Sequence, residues 1–335
     1  MRYISRSGAR VGGVRQLFST EGGSVDYAGR YYGGGVNEPS TVVDIAAWPA
    51  SDAEFDGRVP KLWVEDPSKT LWLFKQPSYT SSGLRQGEDW AEWISCRVAS
   101  ALGVPAASVE SAVRDSDEGI ISRNIAPPGW DLMLGSLALA EVVPAYAVDR
   151  LPGRPGHSLS NIQLVLAGHL GPHHEICGPM DAFAVFAGIL VLDALVANTD
   201  RHHRNWGVLR HGLQTKPPRL APAFDHGSAL GYGLSDQKRR QLLAGDGVER
   251  WAQRGRAREF QHDPNAGAVT LVEHAAAALR MISTADRDGW SQRLDEVSDD
   301  ALQTIVLEAP RLSEVQATFI VRLLAANRRR LLDVS

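Results

Sequence analysis

Cysteine is almost missing from this 335-residue chain: Cys96 and Cys177 are the two it has. That is too few for the disulfide framework that staples small secreted domains, and it predicts a reducing, cytoplasmic setting. Long apolar runs are missing as well. The most hydrophobic stretch, residues 182–192 between Asp181 and Asp193, is about half the ~20 residues a membrane-spanning helix needs. It reads as a buried helix. The N-terminus has no apolar core of a secretory signal, and Arg2, Arg6, Arg10 and Arg15 interrupt it. Nor is there an excess of charge of one sign: 35 Lys and Arg stand against 39 Asp and Glu, for a net −4. No global field therefore favours nucleic acid or an anionic membrane, and any phosphate recognition has to be local. What the chain does have is 44% hydrophobic residues, enough to build one large or two ordinary cores.

The pattern changes along the chain. Residues 1–40, rich in Gly, Ser and Tyr, show no helical period and read as an irregular extension. Residues 61–64 and 70–75 are short β-rich runs parted by Glu65-Asp66-Pro67-Ser68, which predicts a hairpin. Trp90, Ile94, Val98 and Leu102 then recur at helical spacing, with Gly103 where a helix end favours a left-handed residue. A second β pair, 108–113 and 119–124, follows, and Ala126-Pro127-Pro128-Gly129 breaks the chain. Beyond it the sequence is mainly helical (181–197, 271–282, 286–297, and a last helix from Ser313 with Gln316 in capping-box position), apart from a hairpin over 206–210 and 219–223. The expectation is an α+β fold of two lobes: a small β-rich lobe with one helix over 41–127 and a larger helical lobe over 128–335.

Chemistry concentrates in Asn198-Thr199-Asp200-Arg201-His202-His203-Arg204-Asn205, between the buried helix and the hairpin. Transfer of a phosphoryl group to a hydroxyl needs an acid to orient the hydroxyl and take its proton, and oxygen ligands for Mg²⁺. Asp200 and Asn205 stand at the spacing of the Asp and Asn of a protein-kinase catalytic loop. Past the hairpin, Asp225-His226-Gly227 offers a second metal-ligand carboxylate at a strand end. Upstream, Lys75 closes a strand and Glu92 lies on the amphipathic helix, a pairing that can hold the α- and β-phosphates. Each signal alone is weak, since a strand-end Lys or a helix Glu is more often solvated surface. Their order along the chain discriminates.

These segments resemble the HipA-like serine/threonine kinases, whose fold is distantly related to that of protein and phosphoinositide kinases. Residues 198–205 look like that family's catalytic loop. Ala221-Pro222-Ala223-Phe224-Asp225 is similar to its metal-binding segment, and Gly57-Arg58-Val59-Pro60-Lys61 resembles its phosphate-side loop. The resemblance, strong over 198–225 and looser over 44–332, implies ATP and Mg²⁺ as cofactors. It makes Asp200 the catalytic base, Asn205 and Asp225 the metal ligands, and Lys75 the phosphate grip oriented by Glu92. Gly57 and Lys61 would lie on the phosphate side, His202 in the loop beside the nucleotide, and Arg123 and Asn124 in the hinge that reads adenine through backbone groups. The acceptor it implies is a protein serine or threonine; a small-molecule hydroxyl, or a silent nucleotide-binding scaffold, are the alternatives. The chain lacks the full N-terminal domain that longer relatives carry, which counts against an antitoxin partner. Glu54 and Asp56 stand where some relatives carry phosphorylatable serines.

Competing readings are weaker. His202 and His203 are adjacent and so do not share a helix face as zinc-binding histidines at i, i+4 do; His173 and His174 read as solvent-exposed. Gly156-His157-Ser158-Leu159-Ser160 nearly spells a nucleophile elbow, but no apolar strand precedes it, and Ser158 reads instead as a helix start. The basic runs at 238–240 and 254–258 are open to a phosphorylated or acidic substrate, while that at 328–330 reads as a solvated helix face or end.

Overall fold

The computed structural model describes residues 41–54, 61–146, 151–172 and 180–334. The expectations for the 1–40 extension, for Gly57 and Asp56, and for His173, His174 and Cys177 lie outside them. The first part of the chain contains β1 (Val43–Asp44), β2 (Ala50–Glu54), β3 (Lys61–Glu65), β4 (Leu71–Lys75), α1 (Glu88–Leu102), β5 (Val109–Arg114) and β6 (Asp117–Arg123). Its strands form one sheet in the order β1-β5-β6-β4-β3-β2. All neighbours are antiparallel except β1 and β5.

The predicted β3–β4 turn forms because Asp66 Oδ1 accepts from the backbone N–H groups of Ser68 at 2.9 Å and Thr70 at 2.8 Å, the local bonding that suits Asp to turns. The resulting register sets Lys61 directly opposite Lys75, so their side chains leave the sheet on one face. Helix α1 spans the predicted residues, buries Trp90, Ile94, Val98 and Leu102, and ends on Gly103 at φ 73°.

The second part contains β7 (Trp130–Leu134), α2 (Gly135–Val142), α3 (Leu159–Leu166), α4 (Ala182–Leu195), β8 (Gly207–His211), β9 (Arg219–Leu220), α5 (Asp236–Leu243), α6 (Gly247–Ala252), α7 (Leu271–Leu279), α8 (Thr284–Glu296), α9 (Asp299–Leu307) and α10 (Glu314–Leu332). Strands β7, β8 and β9 make a small sheet in that order. Ser158 caps α3 as expected, and the Ser313–Gln316 capping box opens α10. Elements β1, β2, β7, α2, α5, α6 and α9 escaped the sequence reading, most of them being too short or too polar for a period to emerge. Among the described residues no helix is long and apolar enough to cross a membrane.

One large core unites α1, α4, α7 and α10 with Val109 and Ile120 from the inner face of the six-stranded sheet. Ile45, Val64, Phe74, Ala112 and Ile121 form a separate cluster. Ile120 and Ile121, consecutive in β6, fall in different clusters, as the two-residue period of a strand requires. The large core runs across the expected 127/128 boundary, so α1 packs with the helical part of the chain as much as with its own sheet.

The structure bears on two of the basic runs. Arg239 is buried, stacked over the Trp90 ring at 5.6 Å and donating to Gly231 O, so it is closed to an acidic ligand. Arg328 and Arg330 donate to the carbonyls of Asp295 and Ala252 at 2.8 and 3.0 Å. They tie down neighbouring helix ends, where unmet carbonyls attract cations, while Arg329 between them, in the last turn of α10, is exposed.

Candidate active site

Helix α4 is buried along its whole length, and its one charged residue, Asp193, is 2% exposed. A carboxylate so placed must be paired. Arg201, equally buried, grips it with two bonds of 2.8 Å, Nε to Oδ2 and Nη2 to Oδ1. The rest of that guanidinium orders the site. Its Nη1 donates to Asn205 O and, at 2.9 Å, to Phe224 O, and Nη2 lies 2.9 Å from His226 Nε2. One arginine thus joins the 198–205 loop to the 224–226 segment. His226 has to stay neutral to accept from Arg201, and burial, with the Arg201 charge adding, pulls its pKa down to about 3.

The loop is folded by its own polar groups. Asn198 Nδ2 donates to Asp193 Oδ1 at 2.8 Å, and Asn198 Oδ1 accepts from the Asp200 N–H at 3.1 Å. Asn205 Nδ2 donates to Asp200 O at 2.8 Å, which fixes the orientation of the amide and leaves its oxygen as the atom that could ligate a metal. Ser228 Oγ donates to Asp200 Oδ2 at 3.3 Å. His202 Nδ1 accepts from the Arg204 N–H at 3.1 Å, and its ring is among the groups that hold the Asp225 carboxyl down.

Lys75 brings the remaining residues together. Its Nζ donates to Glu92 Oε1 and Oε2 at 3.0 and 3.2 Å and to Asp225 Oδ1 at 3.2 Å. Burial alone would lower the pKa of this ammonium, but Asp225 and Glu92 more than offset it and the group stays charged. In return the Lys75 charge holds Asp225 well below the usual carboxylate range, with Lys61 adding to the pull. Burial pushes the Glu92 carboxyl up, against the pull of Lys75. Asp225 sits at φ 59°, a left-handed conformation that Asp tolerates better than most residues and that marks strained, functional turns.

Of the sequence-predicted residues, Lys75, Glu92 and Asp225 are in direct contact, and Lys61 and His202 are close enough to act on Asp225; Asp200 and Asn205 are tied to the same segment through Ser228 and Arg201. Arg123 ends β6, next to β4, and Asn124 follows it. Their N–H groups donate to Ser108 O and Leu71 O, both at 2.9 Å, so adenine recognition at these two residues would fall to acceptor groups and side chains. His203 bonds the Tyr146 hydroxyl at 2.6 Å. Among the described residues no group of three or more His, Cys, Asp or Glu is placed to hold a metal ion. The Asn205 amide oxygen and the Asp225 carboxylate are hard oxygen ligands that suit Mg²⁺, which takes one or two protein oxygens and completes its shell with phosphate and water.

Asp193, Arg201 and His226 were not picked out in the sequence. The signal for Asp193 was there, in the form of an acid closing an otherwise apolar helix.

The chain matches the HipA-like C-terminal domain model over residues 53–290. Among curated proteins none matches it significantly. Among solved structures it is similar to the Helicobacter pylori proinflammatory kinase CtkA, with a TM-score of 0.66 at 16% identity over 88% of this chain and 96% of that one. HipA from the Shewanella oneidensis toxin–antitoxin complex with HipB and operator DNA gives 0.47 at 14% identity, over 90% of this chain and 68% of that one. A golgi casein kinase gives 0.44 at 13% identity, over 86% and 72%. The last two scores are too low to argue from, and at such identities the CtkA likeness speaks for the fold alone. The family match spans well over half of the sequence and the fold is the two-lobed α+β architecture of kinases: the chain belongs to the HipA-like C-terminal domain family.

Proposed function

We propose that this protein is a cytoplasmic kinase that transfers the γ-phosphate of ATP, with Mg²⁺, to a serine or threonine hydroxyl of a protein. The observation that carries the reading is the Lys75 ammonium held between Glu92 and Asp225, residues drawn from a strand, a helix and a turn 150 positions further on. A buried salt bridge of this kind is a poor source of stability, and its arrangement beside Asp200 and Asn205 suits phosphate chemistry. Lys75, fixed in place by Glu92, would grip the nucleotide phosphates, with Lys61 on the same face of the sheet. Asn205 and Asp225 would hold the metal, which when bound neutralises charge on the β- and γ-phosphate oxygens. Asp200, steadied by Ser228, would orient the acceptor hydroxyl and take its proton.

The test is transfer from γ-labelled ATP in a cell lysate resolved into protein and small-molecule fractions. Label should enter the protein fraction. Asp200→Asn should keep ATP affinity and lose about 10² to 10⁴ in rate, the usual weight of a general base. Asp225→Asn, which tolerates the same left-handed backbone, should abolish metal-dependent turnover. Label confined to the small-molecule fraction would replace the protein acceptor with a metabolite, and equal turnover by Asp225→Asn and wild type would overturn the assignment.

A further inference from the structure

The Lys75–Glu92 pair is only as well placed as the two elements that carry it, β4 and α1; α1 is held from outside the six-stranded sheet, and β4 through its neighbour β6. Arg311, in the turn between α9 and α10 and beyond the stretch matched by the family, adopts φ 63°. A non-glycine residue keeps that conformation when its surroundings enforce it. Its guanidinium donates through Nη1 to Ser111 Oγ at 2.9 Å and Gly119 O at 3.3 Å, and through Nη2 to Ala112 O at 3.3 Å. These three acceptors lie on β5 and β6. Gly119 is packed so closely on β4 that a Cβ there would collide with the Lys75 carbonyl.

The same guanidinium lies 3.9 Å from Asp89 Oδ2, and its Nε lies 3.4 Å from Glu118 Oε1. Asp89 is buried, is chelated by Arg85 through bonds of 3.2 and 2.7 Å, and sits three residues before Glu92 on the same helix. Residues three apart share a helix face. At the far end of α1, Arg293 of α8 donates to the Gly103 carbonyl at 3.0 Å, and at the near end the Gly87 N–H donates to Tyr232 O at 3.1 Å.

We infer that Arg311 is a positioning residue for the nucleotide site, fixing the strand of Lys75 and the helix of Glu92 against each other from the helical part of the chain. A guanidinium suits this task because its planar fork serves carbonyls, a hydroxyl and carboxylates at once, whereas a lysine offers one point charge. In many kinases the Glu-bearing helix must be brought into place to complete the Lys–Glu pair. Here α1 is tied at both ends and in its first turn, which makes the pair a standing feature of the folded chain.

The inference rests on the proposed ATP site, and two measurements keep the two claims apart. The first needs no nucleotide: amide hydrogen exchange across α1 should accelerate in Arg311→Met at a temperature where the variant is fully folded. The second is titration with a fluorescent ATP analogue and Mg²⁺ in a double-mutant cycle. Arg311→Met should weaken binding by about 10-fold, the weight of one charge-assisted hydrogen bond, and should weaken it no further in a Glu92→Gln background; Arg311→Lys should recover part of the loss. Arg311→Lys, which keeps the charge but not the fork, serves if Arg311→Met does not fold, and should show a smaller acceleration. Unchanged exchange in α1, or the same fold-loss with and without Glu92, overturns the positioning role. Wild type that fails to bind Mg·ATP, with α1 still loosened by Arg311→Met, overturns the kinase reading instead.

Discussion

Asp193 and Arg201 are each 2% exposed and have no water to fall back on, so neither charge is tolerable without the other. Removing one partner of such a pair typically costs about 3–5 kcal/mol, whereas replacing both by apolar groups of similar volume is often close to neutral. Arg201→Met should therefore destabilise the protein by about that amount, read by urea denaturation. Asp193→Leu combined with Arg201→Met should recover much of the stability. Phosphate transfer should stay lost in both, because the carbonyls of Asn205 and Phe224 no longer share a donor. A double variant with wild-type transfer would show that the loop is positioned by other means. The same pair marks a limit of sequence reading. Lys75, Glu92, Asp200, Asn205 and Asp225 stood out in the sequence because the proposed chemistry asks for those types in that order. Arg201 stood inside the motif but its partner lay on a helix interior, and only folding brings the two together.

At the scale of elements, the behaviour of α4 follows from being apolar all round. Gly188 lets the Trp290 ring of α8 lie against the helix, with the indole N–H donating to Ala184 O at 2.9 Å, and any Cβ at position 188 would overlap that ring. Alanine is the better helix former by about 1 kcal/mol, yet overpacking a core costs about 1–3 kcal/mol. Gly188→Ala should thus lower the melting temperature, and a rise would mean that the α4–α8 contact can shift at little cost. Helices α1, α4 and α10 were visible beforehand because they are long, periodic or uniformly apolar and carry legible caps. The eight-residue α2 and the two-residue β1 carry no such pattern, since tertiary pairing, as of β1 with β5, holds them where local preference does not.

Across the whole molecule, acid should weaken the fold through histidines that are built in neutral. His157 is buried, with Nδ1 2.5 Å from Glu259 O and Nε2 accepting from Trp206 Nε1 at 3.0 Å, and it stacks on Phe260. Burial pulls its pKa down to about 3, with His203 and His274 beside it adding to the fall, while burial lowers His274 to about 4 against the pull of Asp193. The unfolded chain takes up these protons near pH 6.5 and the folded one does not, so stability is full above that pH and falls steadily below it. Each histidine contributes up to roughly 1.4 kcal/mol per pH unit. Between pH 7 and pH 5 the unfolding free energy should drop by about 2 kcal/mol per histidine, and His157→Gln should flatten that slope. An unchanged slope would assign the acid sensitivity to other groups.

The last helix, α10, packs on most of the helical part of the chain. From it Asn327 Nδ2 donates to Leu195 O at 3.1 Å, at the point where α4 gives way to the 198–205 loop. The segments it steadies, from the 198–205 loop to the Arg311 turn, all precede it in the chain. A chain in which this helix has not yet docked therefore carries every side chain of the candidate site without the contact that ties the end of α4 down, so the order of synthesis and the order of assembly run the same way.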